Sequence, residues 1–139
     1  GVCMLGSKKQ KNWLSDQSFA KKFGFEVVDA TDNGYELLAL SFDGTMPKFA
    51  QNAKKMKIES EDLTIYYDMQ CPYIYQKIEM VKQYCDTNNV PVSLIQVDTL
   101  QKAKDLPCVF NNWAVFYKGK FETVNLIQDV THLERILKK

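Results

Sequence analysis

Apolar and polar positions divide the chain into short periodic segments. Val2 to Leu5 is an apolar run that predicts a buried strand. The basic stretch Gly6-Ser7-Lys8-Lys9-Gln10-Lys11 follows and predicts a loop. Ser15 and Asp16 each offer a side-chain oxygen to the unpaired amides of a helix start. A short helix is therefore expected from about Asp16 to Phe23, ended by Gly24, where a left-handed residue costs least. Phe25 to Val28 and Tyr35 to Phe42 predict two strands, and Asp32-Asn33-Gly34 between them is a hairpin signal. Beyond Asp43-Gly44, Pro47 suits the first position of a helix in which Phe49, Ala50, Ala53 and Met56 recur at helical spacing.

Lys54, Lys55, Lys57, Glu59, Glu61 and Asp62 make the next stretch polar. A domain boundary is expected near residues 57–62, separating 1–60 from 61–139. The second part is the more regular. Leu63 to Tyr67 predicts a strand, and Pro72 suits the first turn of a helix. Ile74, Ile78, Val81 and Cys85 fall on one face of that helix, which runs to about Thr87 before Asn88-Asn89 stops it. Val92 to Val97 predicts a strand parallel to the first, reached by a right-handed crossover. One helical turn is expected near Leu100 to Lys104. A hairpin of Trp113 to Tyr117 and Phe121 to Val124 follows, turning about Lys118-Gly119-Lys120. Asp129 or Thr131 can cap a last helix through Leu133, Ile136 and Leu137. The order is strand, helix, hairpin in the first part and β-α-β then β-β-α in the second, an α+β protein.

Composition narrows the class without naming an activity. The 139 residues are 45% hydrophobic and 25% charged, the balance of a soluble globular protein. The formal net charge is +1, with nine lysines against seven acids in 1–60 and nine basic against ten acidic residues in 61–139. No broad basic field for nucleic acid follows from that balance. No apolar run approaches the ~20 residues of a membrane span, and no leader pattern is read at the start. Four cysteines (Cys3, Cys71, Cys85, Cys108) lack any C-x-x-C spacing, and His132 is the lone histidine, so no ordinary zinc set is read. Free thiols and a cytoplasmic location are the expectation.

Cys71 is the candidate reactive thiol. At a helix start it meets unpaired amides and the positive end of the dipole, which favour thiolate. Its other reading, the default one, is a small residue at a strand–helix corner. Cys85 lies on the apolar helix face and Cys3 in an apolar strand, so both are expected in a core. Tyr66, Tyr67, Tyr73 and Tyr75 either line a groove or pack ordinarily. Strand alternation keeps Tyr66 and Tyr67 from sharing one core. Lys8, Lys9 and Lys11 are read as a solvated loop or as contacts for an acidic group, and His132 as a surface residue.

Residues 63–139 resemble thioredoxin-like domains. The element order, the Cys71-Pro72 pair before the long helix and the hairpin Val115-Phe116-Tyr117-Lys118-Gly119-Lys120-Phe121 carry the resemblance. It implies a thiol/redox or protein-binding module centred on Cys71. A dithiol motif would place its second cysteine at Ile74, and the family's cis-proline would fall near Asn111; neither residue type is there, and Pro107 lies too far upstream. On this resemblance Cys108 faces the start of the first long helix, which leaves a Cys71–Cys108 disulfide open.

Gly6-Ser7-Lys8-Lys9-Gln10-Lys11-Asn12-Trp13-Leu14-Ser15-Asp16, then Phe23-Gly24-Phe25-Glu26-Val27-Val28-Asp29 and Tyr35-Glu36-Leu37-Leu38-Ala39-Leu40, resemble the C-terminal portion of GNAT-type N-acetyltransferases. Both parts together resemble the tail of YoaP-like proteins, in which such an acetyltransferase carries a thioredoxin-like domain. The resemblance implies acetyl transfer from acetyl-CoA to a small-molecule or peptide amine. It also implies a diphosphate cradle patterned Gln/Arg-x-x-Gly-x-Gly/Ala. None of Gly1, Gly6, Gly24, Gly34, Gly44 and Gly119 has that spacing. A general-acid tyrosine common in the family falls at Ala20, beside Phe19. Asn12, Ser15 and Asp16 are the polar groups nearest the matching cleft, with helix capping as their other reading. The expectation is a C-terminal fragment, inactive alone and without tight acetyl-CoA binding, whose exposed face invites self-association. Its catalytic and cofactor-binding residues stay unassigned.

Overall fold

The computed structural model describes residues 1–9, 14 and 17–139. It forms two compact units, Gly1–Met56 and Lys57–Lys139. Two sheets and five helices among the described residues make the chain an α+β protein. None of the described helices is long and apolar enough to cross a membrane.

The first unit is built on β1 (Val2–Ser7), α1 (Gln17–Lys22), β2 (Glu26–Ala30), β3 (Tyr35–Leu40) and α2 (Gln51–Lys54). The sheet order is β1-β3-β2, antiparallel throughout. β3 is therefore the central strand, and it is buried from Tyr35 through Ala39. Two features close the local turns. Gly24 ends the α1 segment at φ +85°, a conformation open mainly to glycine. At the hairpin, the Thr31 hydroxyl accepts from the Tyr35 amide at 2.9 Å and donates to Asn33 Oδ1 at 2.7 Å.

Three expectations for this unit are corrected. β1 forms, but as an edge strand: Val2 and Cys3 are exposed, so Cys3 is not a core residue. An apolar strand paired on one side only does not bury its free end. β3 stops at Leu40, and Phe42 is exposed. The helix expected from Pro47 shrinks to Gln51–Lys54, with Ala50 extended before it and no side-chain cap. Asp29 explains the difference. Its Oδ2 accepts from the Phe49 amide at 3.0 Å and its Oδ1 from Lys54 Nζ at 2.6 Å. The Phe49 amide is thereby held on β2, and the helical spacing of the apolar residues does not prevail.

The second unit comprises β4 (Leu63–Tyr67), α3 (Pro72–Asn88), β5 (Val92–Gln96), α4 (Leu100–Lys104), β6 (Trp113–Tyr117), β7 (Lys120–Thr123) and α5 (Val130–Leu137). Its sheet runs β5-β4-β6-β7, with β4 and β5 parallel and the other pairs antiparallel. α3 buries Ile74, Ile78, Val81 and Cys85, the predicted face, and ends on Asn89 at φ +53°. α5 starts where Asp129 Oδ1 accepts from the His132 amide at 2.8 Å, and it buries Leu133 and Ile136. These helices pack with Leu63, Ile65, Trp113 and Val115 into one core. Tyr66, Phe116, Phe121 and Phe110 form a second apolar cluster, with successive ring centroids 5.8, 5.7 and 5.5 Å apart.

Candidate functional site

In the first unit Glu36 is the carboxylate on the central strand of the sheet. It stands on β3 opposite Gly6 of β1 and Ala30 of β2. Only 6% of it is exposed, and its Oε2 accepts from Gln17 Nε2 at 2.7 Å. A buried carboxylate is costly unless hydrogen-bonded, so this contact fixes where α1 sits. Gly6 makes room for it. A Cβ there would lie 2.4 Å from Leu38 Cδ1 and 2.6 Å from Gln17 Nε2. Asp29, on β2, is the other organised carboxylate. The Lys54 hydrogen bond, with the amides of Ala30 and Phe49, holds it below the usual carboxylate range against the opposing effect of burial.

The residues singled out from the GNAT-type resemblance are placed unevenly. Lys8 and Lys9 are exposed, and the Lys8 amide donates to the Gly34 carbonyl at 3.2 Å, extending the β1–β3 contact. Lys11, Asn12, Trp13, Ser15 and Asp16 lie outside the described residues. Ala20 is buried, and its methyl offers no proton. Phe19 and Phe23 are both exposed, with ring centroids 5.0 Å apart. Gly24, Gly34, Gly44 and Gly119 all take positive φ, and Gly6 serves the α1 contact. These residues do not fit a diphosphate cradle, which needs successive inward amides on closely spaced glycines.

In the second unit Cys71 is the N-cap residue of α3, half-buried against the core, and its side chain makes no capping hydrogen bond. Cys108 is buried and its S–H donates to the Phe110 carbonyl at 3.1 Å. Burial pushes its thiol up to about 11. Cys85 is buried on α3 as expected, and burial raises its thiol too. All four cysteines are free thiols.

The four tyrosines do not converge. Tyr66 sets its ring edge-on to Phe116, whereas Tyr67 packs against the core under α3. Tyr73 and Tyr75 are exposed on α3. His132 Nδ1 accepts from the Gln128 amide at 3.4 Å at the start of α5, a local contact.

Sequence reasoning missed Glu36 and Gln17 as a pair. The signal was present: Glu36 is the lone charge inside the apolar run Tyr35 to Leu40. Its partner was not readable, because Gln17 reaches it across the sheet face from another element.

Comparison with known proteins adds a relationship to this geometry. A family model described as YoaP-like matches residues 91–135. The chain is 28% identical over 139 residues to the "Uncharacterized N-acetyltransferase YoaP" of Bacillus subtilis (strain 168). That alignment covers 99% of this chain and 55% of the relative, so the chain spans about half the length of the curated relative it matches. No solved structure matches the chain. Both likenesses point to YoaP-like proteins as what this chain is similar to.

Proposed function

We propose that this chain is part of a GNAT-type N-acetyltransferase that moves an acetyl group from acetyl-CoA to a small-molecule or peptide amine. The observation that carries the proposal is the likeness to the uncharacterized N-acetyltransferase, which extends over 99% of the chain. In the reaction the amine nitrogen bonds to the acetyl carbonyl carbon, the carbon–sulfur bond breaks, and the amine gives up a proton as the CoA thiol leaves. Residues 1–60 form the C-terminal part of the acetyltransferase domain. Residues 61–139 form the thioredoxin-like domain that YoaP-like proteins carry.

The antiparallel β1-β3-β2 sheet with α1 tied to Glu36 supports the first assignment, as a strand–helix–hairpin unit. The diphosphate cradle is assigned to residues beyond these 139, since none of the described glycines suits it. Ala20 supplies no acid, so the proton for the leaving thiolate comes from elsewhere. The protein works in the cytoplasm, where its thiols stay reduced.

Release of free CoA thiol in the presence of a panel of primary amines tests the proposal. A longer form carrying the residues that the relative has beyond the matched region should turn over, and the 139-residue chain should not. Turnover by neither form with any amine contradicts the proposal.

A further inference from the structure

A groove of about 440 Å³ opens at the carboxyl ends of the parallel strands β4 and β5 in the second unit. Asp68, Met69 and Gln70 follow β4 and line one side; Val97 to Leu100 and Ala103 of α4 line the other, and Asn111 completes it. Crevices outside the carboxyl ends of parallel strands are where open sheets of this kind hold ligands. Neither Cys71 nor any of the four tyrosines lines this one.

The charge arrangement is specific. Asp98 is neutralised locally: Lys102 Nζ bonds its Oδ1 at 2.7 Å and also reaches the Gln96 carbonyl at 3.2 Å. Asp68 is not. It is 8% exposed, and its Oδ1 accepts from the Gln70 amide at 3.1 Å. Its own amide is taken by the Asn112 carbonyl at 3.2 Å. No described cation pairs with it, so this largely buried residue presents its carboxylate to the groove without a counter-charge. A carboxylate without a counter-charge at the edge of a groove attracts a cation that enters, more strongly there than in bulk water. Around it the lining is mixed: Met69, Val97, Leu100 and Ala103 give apolar surface, between the polar Gln70, Gln96, Asp98, Thr99 and Asn111.

We infer that this groove binds a primary ammonium group carried on an apolar chain, with Asp68 as its counter-ion and Met69, Val97, Leu100 and Ala103 against the chain. The Gln70 amide takes Oδ1, which leaves Oδ2 for a ligand; one free oxygen suits the point-like ammonium better than a guanidinium, whose fork engages both carboxylate oxygens. A free alkylamine and a lysine side chain share this chemistry. The site belongs to the second unit alone and does not depend on acetyl transfer.

The test is titration of the intact 139-residue chain with n-butylamine, n-butanol and butyrate, followed by amide chemical shifts. Saturable shifts at Asp68, Val97 and Leu100 with butylamine alone are expected. Asp68→Asn keeps an oxygen for the Gln70 amide and should weaken butylamine binding by about 10-fold or more. Ala103→Phe, on the half-exposed face of α4, should block the groove with Asp68 unchanged, and it serves if the first variant does not fold. Equal shifts with butanol, or undiminished binding by both variants, overturns the inference. Butylamine against a lysine-containing apolar peptide then separates the sources. Tighter peptide binding supports an ammonium site that serves a lysine side chain, and equal binding supports one that serves a small amine.

Discussion

Gln17 Nε2 donates to Glu36 Oε2 at 2.7 Å, and through that bond the short helix α1 is fastened to the central strand of its sheet. α1 has six residues, too few to be stable alone in water. Its place therefore depends on this contact and on Ala20, its buried residue.

Removing the donor should be costly. Gln17→Ala leaves a buried carboxylate without this partner and should destabilise the first unit by about 1–3 kcal/mol. Hydrogen exchange of the β3 amides reads this unit separately from the other, and faster exchange is expected there.

Gly6→Ala should disturb the same contact from the opposite side. The new methyl would meet Leu38 Cδ1 and Gln17 Nε2 at 2.4 and 2.6 Å, so the Leu38 and Gln17 side chains must shift and the bond to Glu36 is disturbed. Overpacking of this kind costs about 1–3 kcal/mol. The double variant with Gln17→Ala, which removes one clashing group, should cost less than the sum of the two singles, as a double-mutant cycle would show.

Asp29 gives the first unit an acid-sensitive tie. Its folded carboxyl lies below its ordinary value, chiefly through the Lys54 hydrogen bond, so its stabilisation is present above the ordinary carboxylate range and is lost as pH falls through the folded value. Asp29→Asn should therefore lower stability at neutral pH, by about 1–3 kcal/mol. The gap from the parent chain should close as the pH falls below 3.8, the ordinary value. Denaturant midpoints across that range would show it.

Cys108 acts at the alkaline end. Its folded thiol is raised from 9.0 to about 11, so its contribution is intact below pH 9 and declines as pH rises toward 11. Cys108 should add up to about 1.4 kcal/mol per pH unit to the slope in that window, and the slope should be shallower by that share in Cys108→Ala. Thiol titration of the native chain should find Cys3 and Cys71 fast and Cys85 and Cys108 protected, with all four reacting after denaturation.

The legibility of the sequence followed the range of the interactions. α3 was readable because Ile74, Ile78, Val81 and Cys85 record its buried face directly, and Pro72 and Asn89 mark its ends. The parallel β4–β5 pair followed from the length of that crossover. The segment after Pro47 misled because Asp29, about 20 residues away, holds the Phe49 amide and outweighs local helical spacing. Cys3 misled because apolarity does not tell an edge strand from a central one. Glu36 and Asp68 were visible as charges beside apolar runs. Their burial depends on elements brought in by the fold, which no local pattern records.

Calorimetric titration with acetyl-CoA tests the functional account most directly, carried out on the 139-residue chain and on the longer form. The account predicts saturable heat with the longer form and none with the 139 residues. Tight binding by the 139-residue chain, or silence from both, would contradict it.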